Sequence, residues 1–262
     1  MFHLYISLTS VSLNIIKTAL TNALPNVKSS HRCEAMARGL GYRTYASLLA
    51  DLSSNAEIKA NTDGLAFNHY LEQHDFSVSG STLYRAVAKA ALANVATLYP
   101  TLTSTGFGIG QWRPGDTAIK RRLLFDKLRD EFFSDFSTEP FLASLAFVSR
   151  VQKTKTIRPA TNSYWLKHVA ENYACSYPDG EELGPIYVSN GLLIAAAIHA
   201  GFDVKPHKDE YGREALNAGF NMGKASLYDL DCEIRPEGVR ARDRAARKRQ
   251  QAARRSGYLH IY

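Results

Sequence analysis

Over the first hundred positions the hydrophobic residues recur mainly at three- and four-residue spacing, the period of helices that bury one face. Leu13, Ile16, Leu20 and Leu24 predict a helix from about Ser10 that Pro25 stops. A helix over 31–38 follows Ser29 and Ser30 and ends at Gly39-Leu40-Gly41, and another over 45–52 takes Thr44 as its cap. Asp63 precedes a segment carrying Leu65, Phe67 and Leu71. Ser81 opens a stripe of Leu83, Val87, Ala91, Val95 and Leu98, closed by Pro100. Only residues 2–6, rich in β-formers, read as a strand or as the lead into a helix. The pattern predicts an all-helical first region, residues 1-105.

The pattern then changes. Residues 101–116 are rich in Gly, Thr and Pro without a helical period, which predicts a linker or surface loop and a domain boundary. Asp116 is the expected cap of a long helix carrying Ile119, Leu123, Leu124, Leu128 and Phe132, with Lys120, Arg121, Arg122, Lys127 and Arg129 as a basic outer face. A helix from Thr138 through Phe147, a strand over 151–157 and a helix over 164–173 behind Ser163 are expected next. After the turn Tyr177-Pro178-Asp179-Gly180, residues 185–188 read as a strand and Asn190 opens a buried helix that Gly201 ends. Short strands are expected over 215–222 and 228–234. Residues 116-234 are therefore a mixed region, and the expected fold class is α+β, mainly helical.

With 262 residues, 45% of them hydrophobic, the chain is long and apolar enough to build a core, which excludes disorder as its main state. The longest wholly apolar run, 192–198, is far below the roughly 20 residues of a bilayer span, so no membrane partner is expected. Residues 1–13 lack a preceding cation and are interrupted by polar groups, and they read as mature structure rather than a leader. Cys33, Cys175 and Cys232 make no disulfide framework, which fits a cytoplasmic protein.

Charge is more informative. The net charge is +7. Arg235, Arg240, Arg242, Arg244, Arg247, Lys248, Arg249, Arg254 and Arg255 stand against only Glu237 and Asp243, so this one segment carries the whole excess. Pro236 and Gly238 precede it, and a basic helix is expected, followed by the apolar Gly257-Tyr258-Leu259-His260-Ile261-Tyr262. Residues 235-262 form a third region whose cations are the candidate partner or nucleic-acid contacts, with the 120–129 cations as a secondary face. Its removal should leave a folded body, and the apolar end should return to a sheet edge.

No catalytic, metal or cofactor site is expected. The helix pair around Gly39 has helix-turn-helix spacing, but the second helix offers Asp51 and no cation for phosphates, so it reads as a structural hairpin. Gly106-Phe107-Gly108-Ile109-Gly110 lacks the Lys and Ser or Thr that follow a phosphate-cradling loop. Asp179, Asp203 and Lys205 match a sparse metal-nuclease pattern, yet a turn and a helix come between them. His69 and His74 are five apart, outside zinc-ligand spacing, and His199 reads as a core residue.

Ser163-Tyr164-Trp165-Leu166-Lys167-His168-Val169-Ala170-Glu171 and Tyr187-Val188-Ser189-Asn190-Gly191, continuing through Ile194-Ala195-Ala196-Ala197 to Gly201-Phe202, resemble stretches of uncharacterised accessory proteins of plasmids and other mobile elements of proteobacteria. His31-Arg32-Cys33-Glu34-Ala35-Met36-Ala37-Arg38-Gly39-Leu40-Gly41-Tyr42-Arg43-Thr44-Tyr45 is similar to the N-terminal helical segment of such proteins. The resemblance implies a mobile-element accessory protein, a class that includes counter-defence (anti-CRISPR) proteins. With the charge distribution it leads to the expectation of a non-enzymatic protein that binds a host nucleoprotein complex, through a protein subunit or RNA, and inhibits a CRISPR-type defence effector. A DNA-binding plasmid regulator and a metal-dependent nuclease are the alternatives.

Overall fold

The computed structural model describes residues 2–258. Phe2, Leu4, Ile6 and Leu8 alternate into the core, and β1 (Tyr5–Leu8) pairs antiparallel with β2 (Ile58–Asn61). The first hundred residues therefore hold a two-stranded sheet, and β2 has no counterpart among the sequence expectations. Around it lie α1 (Ser10–Ala23), α2 (Ser29–Gly39), α3 (Tyr45–Ser54), α4 (Gly64–Glu72) and α5 (Ser81–Leu98). The starts of α1, α3 and α4 follow side-chain caps: Thr9 accepts from the Ser12 amide, Thr44 from Ser47, and Asp63 from Leu65 and Ala66. The α2–α3 pair is a packed hairpin in which Glu34 accepts the Tyr45 amide. Only Leu48 of α3 is fully buried.

Residues 102–107 are not a surface loop. β3 (Leu102–Thr103) and β4 (Gly106–Phe107) form a buried hairpin, and Arg129 of the following helix donates to the Leu102 and Ala96 carbonyls. Gly106, at φ +124°, lies so close to Leu216 that a Cβ would be 1.9 Å from its carbonyl oxygen. Polar residues kept the hairpin from reading as core, but its Thr103 hydroxyl is satisfied internally by the Gly106 and Gly108 carbonyls. Only 111–115 are uniformly exposed. Thr117, not Asp116, caps α6 (Ala118–Phe132), because Asp116 is engaged by the Arg113 amide and by Arg121.

After a 3-10 turn (Asp135–Ser137), α7 (Thr138–Val148) and α9 (Asn190–His199) pack on each other at the centre, joined by α5. Both are apolar on nearly every side, so they are covered all round, and α5 is buried over most of its circumference, whereas α1 buries one stripe. Between α7 and α9 come β5 (Lys153–Asn162), α8 (Ser163–Ala170), β6 (Cys175–Ser176) and β7 (Glu182–Gly184). Asn162 rather than Ser163 caps α8, and 185–188 are not a strand. β8 (Val204–Lys208) and β9 (Glu214–Met222) complete an antiparallel sheet of order β5-β9-β8 that flanks α8 and α9.

Residues 228–234 are helical, within α10 (Lys224–Ile234), not a strand. Tyr228, Leu230, Cys232 and Ile234 alternate like a strand, but Leu227 and Leu230 supply the helical face that the body buries. The chain then enters α11 (Val239–Tyr258). Buried residues from Phe2 to Leu230 belong to one hydrophobic cluster. The fold is α+β and mainly helical, with small sheets. No described helix is long and apolar enough to cross a membrane. Leu259, His260, Ile261 and Tyr262, expected to return to a sheet edge, lie outside the described residues.

Candidate polyanion-binding surface

At 100° per residue, Arg240, Arg244, Arg247, Lys248, Gln251 and Arg254 occupy about a third of the α11 circumference. The first two are taken by the body. Asp231, 2% exposed, accepts Arg235 Nε at 2.6 Å on one oxygen and Arg240 Nη1 at 2.8 Å on the other. The Arg240 guanidinium also lies 3.9 Å from the centre of the Trp165 ring, and the Tyr228 hydroxyl donates to the Arg240 carbonyl. One turn on, Arg244 meets Asp229 at 2.8 Å. The base of the helix is thus held on α10 and α8 by ion pairs and by the Arg240 guanidinium beside Trp165.

Beyond Arg244 the same face continues without a carboxylate. Residues 245–254 are all exposed, and Arg242, Arg247, Lys248, Arg249 and Arg254 form no ion pair with another described residue. Arg255 is on the same helix, and its side chain lies outside the described set. Glu237 and Asp243 are the only acids on the segment, both before this half. Arg247 and Arg254 are about 10 Å apart along the axis. Such an array attracts a surface of regularly spaced anions.

The secondary basic face of α6 is used differently. Arg121 donates to the Gly110 and Gln111 carbonyls at 2.8 and 3.1 Å and stacks on Trp112, pinning the 110–116 loop. Arg129 is spent on the carbonyls of Leu102 and Ala96, and desolvation pushes its pKa down from the usual arginine range. Lys120 donates to Gly115, Arg122 pairs with Asp126, and Lys127 lies 4.0 Å from Glu131. Besides these, α6 exposes Asp130 and the apolar Ile119, Leu123 and Leu124.

A second cluster was not picked out as a site by the sequence. Lys167, 7% exposed, donates to Glu171 at 2.9 Å, and His168 Nδ1 lies 2.8 Å from the other Glu171 oxygen. Burial pushes the Glu171 carboxyl up, but its bonds to Lys167 and His168 outweigh this and hold it below the usual glutamate range. The Lys167 ammonium lies 5.6 Å from the Tyr164 ring and 5.2 Å from the Tyr187 ring. Two of the three stretches that carry the resemblance, 163–171 and 187–202, therefore meet at one lysine. The i,i+4 spacing of Lys167 and Glu171 was legible; their meeting with Tyr187 was not.

The remaining sequence candidates stay apart. Asp179 accepts the Glu181 amide within the 177–180 turn, while Asp203 binds Asn221 across β8 and β9. His74 packs against His31 and Tyr70, and His69 binds Gln73. His199 stacks edge-on against Phe141, and desolvation pushes its pKa below the usual histidine value. Among the described residues no group of three His, Cys, Asp or Glu could hold a metal ion. Compared with models of protein families, with curated proteins and with solved structures, the chain finds no match.

Proposed function

We propose that the chain is a non-enzymatic accessory protein that binds a host nucleoprotein complex through the distal half of α11, and that the complex is a CRISPR-type defence effector. One observation carries the binding part: a single helix face whose first cations are neutralised by Asp229 and Asp231, and whose later ones run on past the body's acids. An anionic partner continues the pattern that α10 begins. The choice of a defence effector rests on the resemblance to mobile-element proteins, since such effectors offer both RNA and acidic protein surface. Supporting the non-enzymatic part, Lys167, His168 and Glu171 are committed to one another.

The test is target-DNA cleavage by a purified CRISPR ribonucleoprotein, with and without the chain. Inhibition and co-elution are expected, and both should be lost in the variant R247E/K248E/R249E/R254E while its thermal unfolding is unchanged. Unimpaired cleavage and no co-elution across effectors of proteobacterial hosts would overturn the choice of target. Tight binding to duplex DNA alone would favour a plasmid regulator.

A further inference from the structure

Around α8 and its C-cap, the buried Lys167, then Glu171, the exposed Tyr164, His168 and Trp165 follow one another. Tyr164 is 55% and Tyr187 71% exposed, although both rings are held beside the same ammonium. What sets this pair apart is that two exposed rings flank one buried charge. Here the support is specific. Lys167 is fixed by Glu171 and accompanied by the Val188 carbonyl, and His168 stands edge-on to Tyr164 with ring centres 4.8 Å apart. On the far side of His168, Trp165 lies under Arg240, the residue from which the basic face of α11 departs.

We propose that Tyr164 and Tyr187 form a base-stacking platform, and that with the cationic face of α11 they bind single-stranded nucleic acid. The inference rests on the α11 reading and names the ligand's class. The two parts match the two needs of a single strand: flat rings for unpaired bases and a line of cations for the phosphates. Duplex DNA fits less well, since its bases are already stacked and cannot reach the rings. A protein hot spot fits less well too, because such a patch needs an apolar centre. Here Lys167 lies beside both rings and His168 beside Tyr164, and Glu171 engages both of these polar groups. Lys167 is a positioning residue, because its charge is buried and paired. The contacts to the strand come from the two tyrosines and from Arg247, Lys248 and Arg254.

Fluorescence anisotropy of the full chain with labelled single-stranded RNA and DNA of about 12 nucleotides, and with a duplex of equal length, tests this. Single strands should bind more tightly than duplex. Tyr164→Ala and Tyr187→Ala should each weaken binding about tenfold with the salt dependence unchanged, and Tyr164→Phe and Tyr187→Phe should restore it. R247E/K248E/R254E should instead flatten the salt dependence. If the alanine variants bind like wild type while the α11 variant still loses affinity, the platform is wrong and the α11 reading stands. If no oligonucleotide binds but a ribonucleoprotein does, the contact is to protein and the inference falls. If neither binds, both readings fall.

Discussion

Asp231→Asn separates the attachment of α11 from the folding of the body. The carboxylate is buried and divides its two oxygens between Arg235 and Arg240, whose side chains are 30% and 42% exposed. A hydrogen bond to a charged group contributes about 1.5–3 kcal/mol when desolvated, but water reaches both guanidinium groups and screens part of this. The amide keeps the size and one acceptor, so a net loss of about 1–2 kcal/mol is expected. For a chain of this size that lowers the unfolding midpoint by roughly 2–8 °C. The loss should be local as well. Amides of 239–244, protected because Arg240 is tied to Asp231, Trp165 and the Tyr228 hydroxyl, should exchange faster, while α7 and α9 keep their protection. Asp231 and Arg240 are bonded to each other, so Asp231→Asn and Arg240→Ala together should cost less than the sum of the two. Unchanged exchange over 239–244, with an unchanged midpoint, would refute the view that this carboxylate fixes the helix.

Gly106→Ala should destabilise by at least about 2 kcal/mol, because its φ is left-handed and its Cβ would collide with the Leu216 carbonyl; Gly115→Ala, in open space at φ +84°, should cost only about 1 kcal/mol in chemical denaturation. Equal losses would remove the 102–107 hairpin from the core. Glu171 has a folded pKa below its unfolded value, so its contribution is present above about pH 4.5 and fades as pH falls through the lowered value. The stability gap between wild type and Glu171→Gln should therefore narrow in acid, and a constant gap would contradict the pairing with Lys167 and His168. His199 is also lowered, here by burial of the neutral ring, so wild type should lose stability as pH falls below about 6.5, and His199→Gln should lose less of it. Truncation after residue 245 should leave the midpoint unchanged, unlike truncation at 235, which strips Asp231 and Trp165 of Arg240.

Helices announced themselves where a cap and an apolar stripe coincide, as at Thr44 and Asp63, since both signals are local. Strand β2 was invisible because its pairing partner, β1, lies far off in sequence, whereas β8, joined to β9 by the short 209–213 turn, was hidden by Lys205, Pro206, His207 and Lys208, which leave it no apolar alternation. Residues 102–107 concealed their burial behind threonines and serine whose hydroxyls bond within the hairpin or to Glu131. The alternation from Tyr228 to Ile234 imitated a strand, and only the burial of Leu227, Leu230 and Asp231 on one side reveals the helix. At the site, the concentration of cations was plain in the sequence. Which of them are already neutralised was not, although Asp231 and Arg235 stand at i,i+4. Nor could spacing bring Tyr187 beside Tyr164, because the contact is made through Lys167 across 20 residues of chain.

The salt dependence of affinity for a nucleoprotein partner tests the central claim most directly. For the full chain, the logarithm of the binding constant should fall steeply with the logarithm of salt concentration, by about 0.7–0.9 for each phosphate a cation neutralises. In R247E/K248E/R249E/R254E the slope should flatten by about 3, with Asp229 and Asp231 still holding the base of the helix. A variant with the wild-type slope and affinity would mean that the distal half of α11 does not meet the partner.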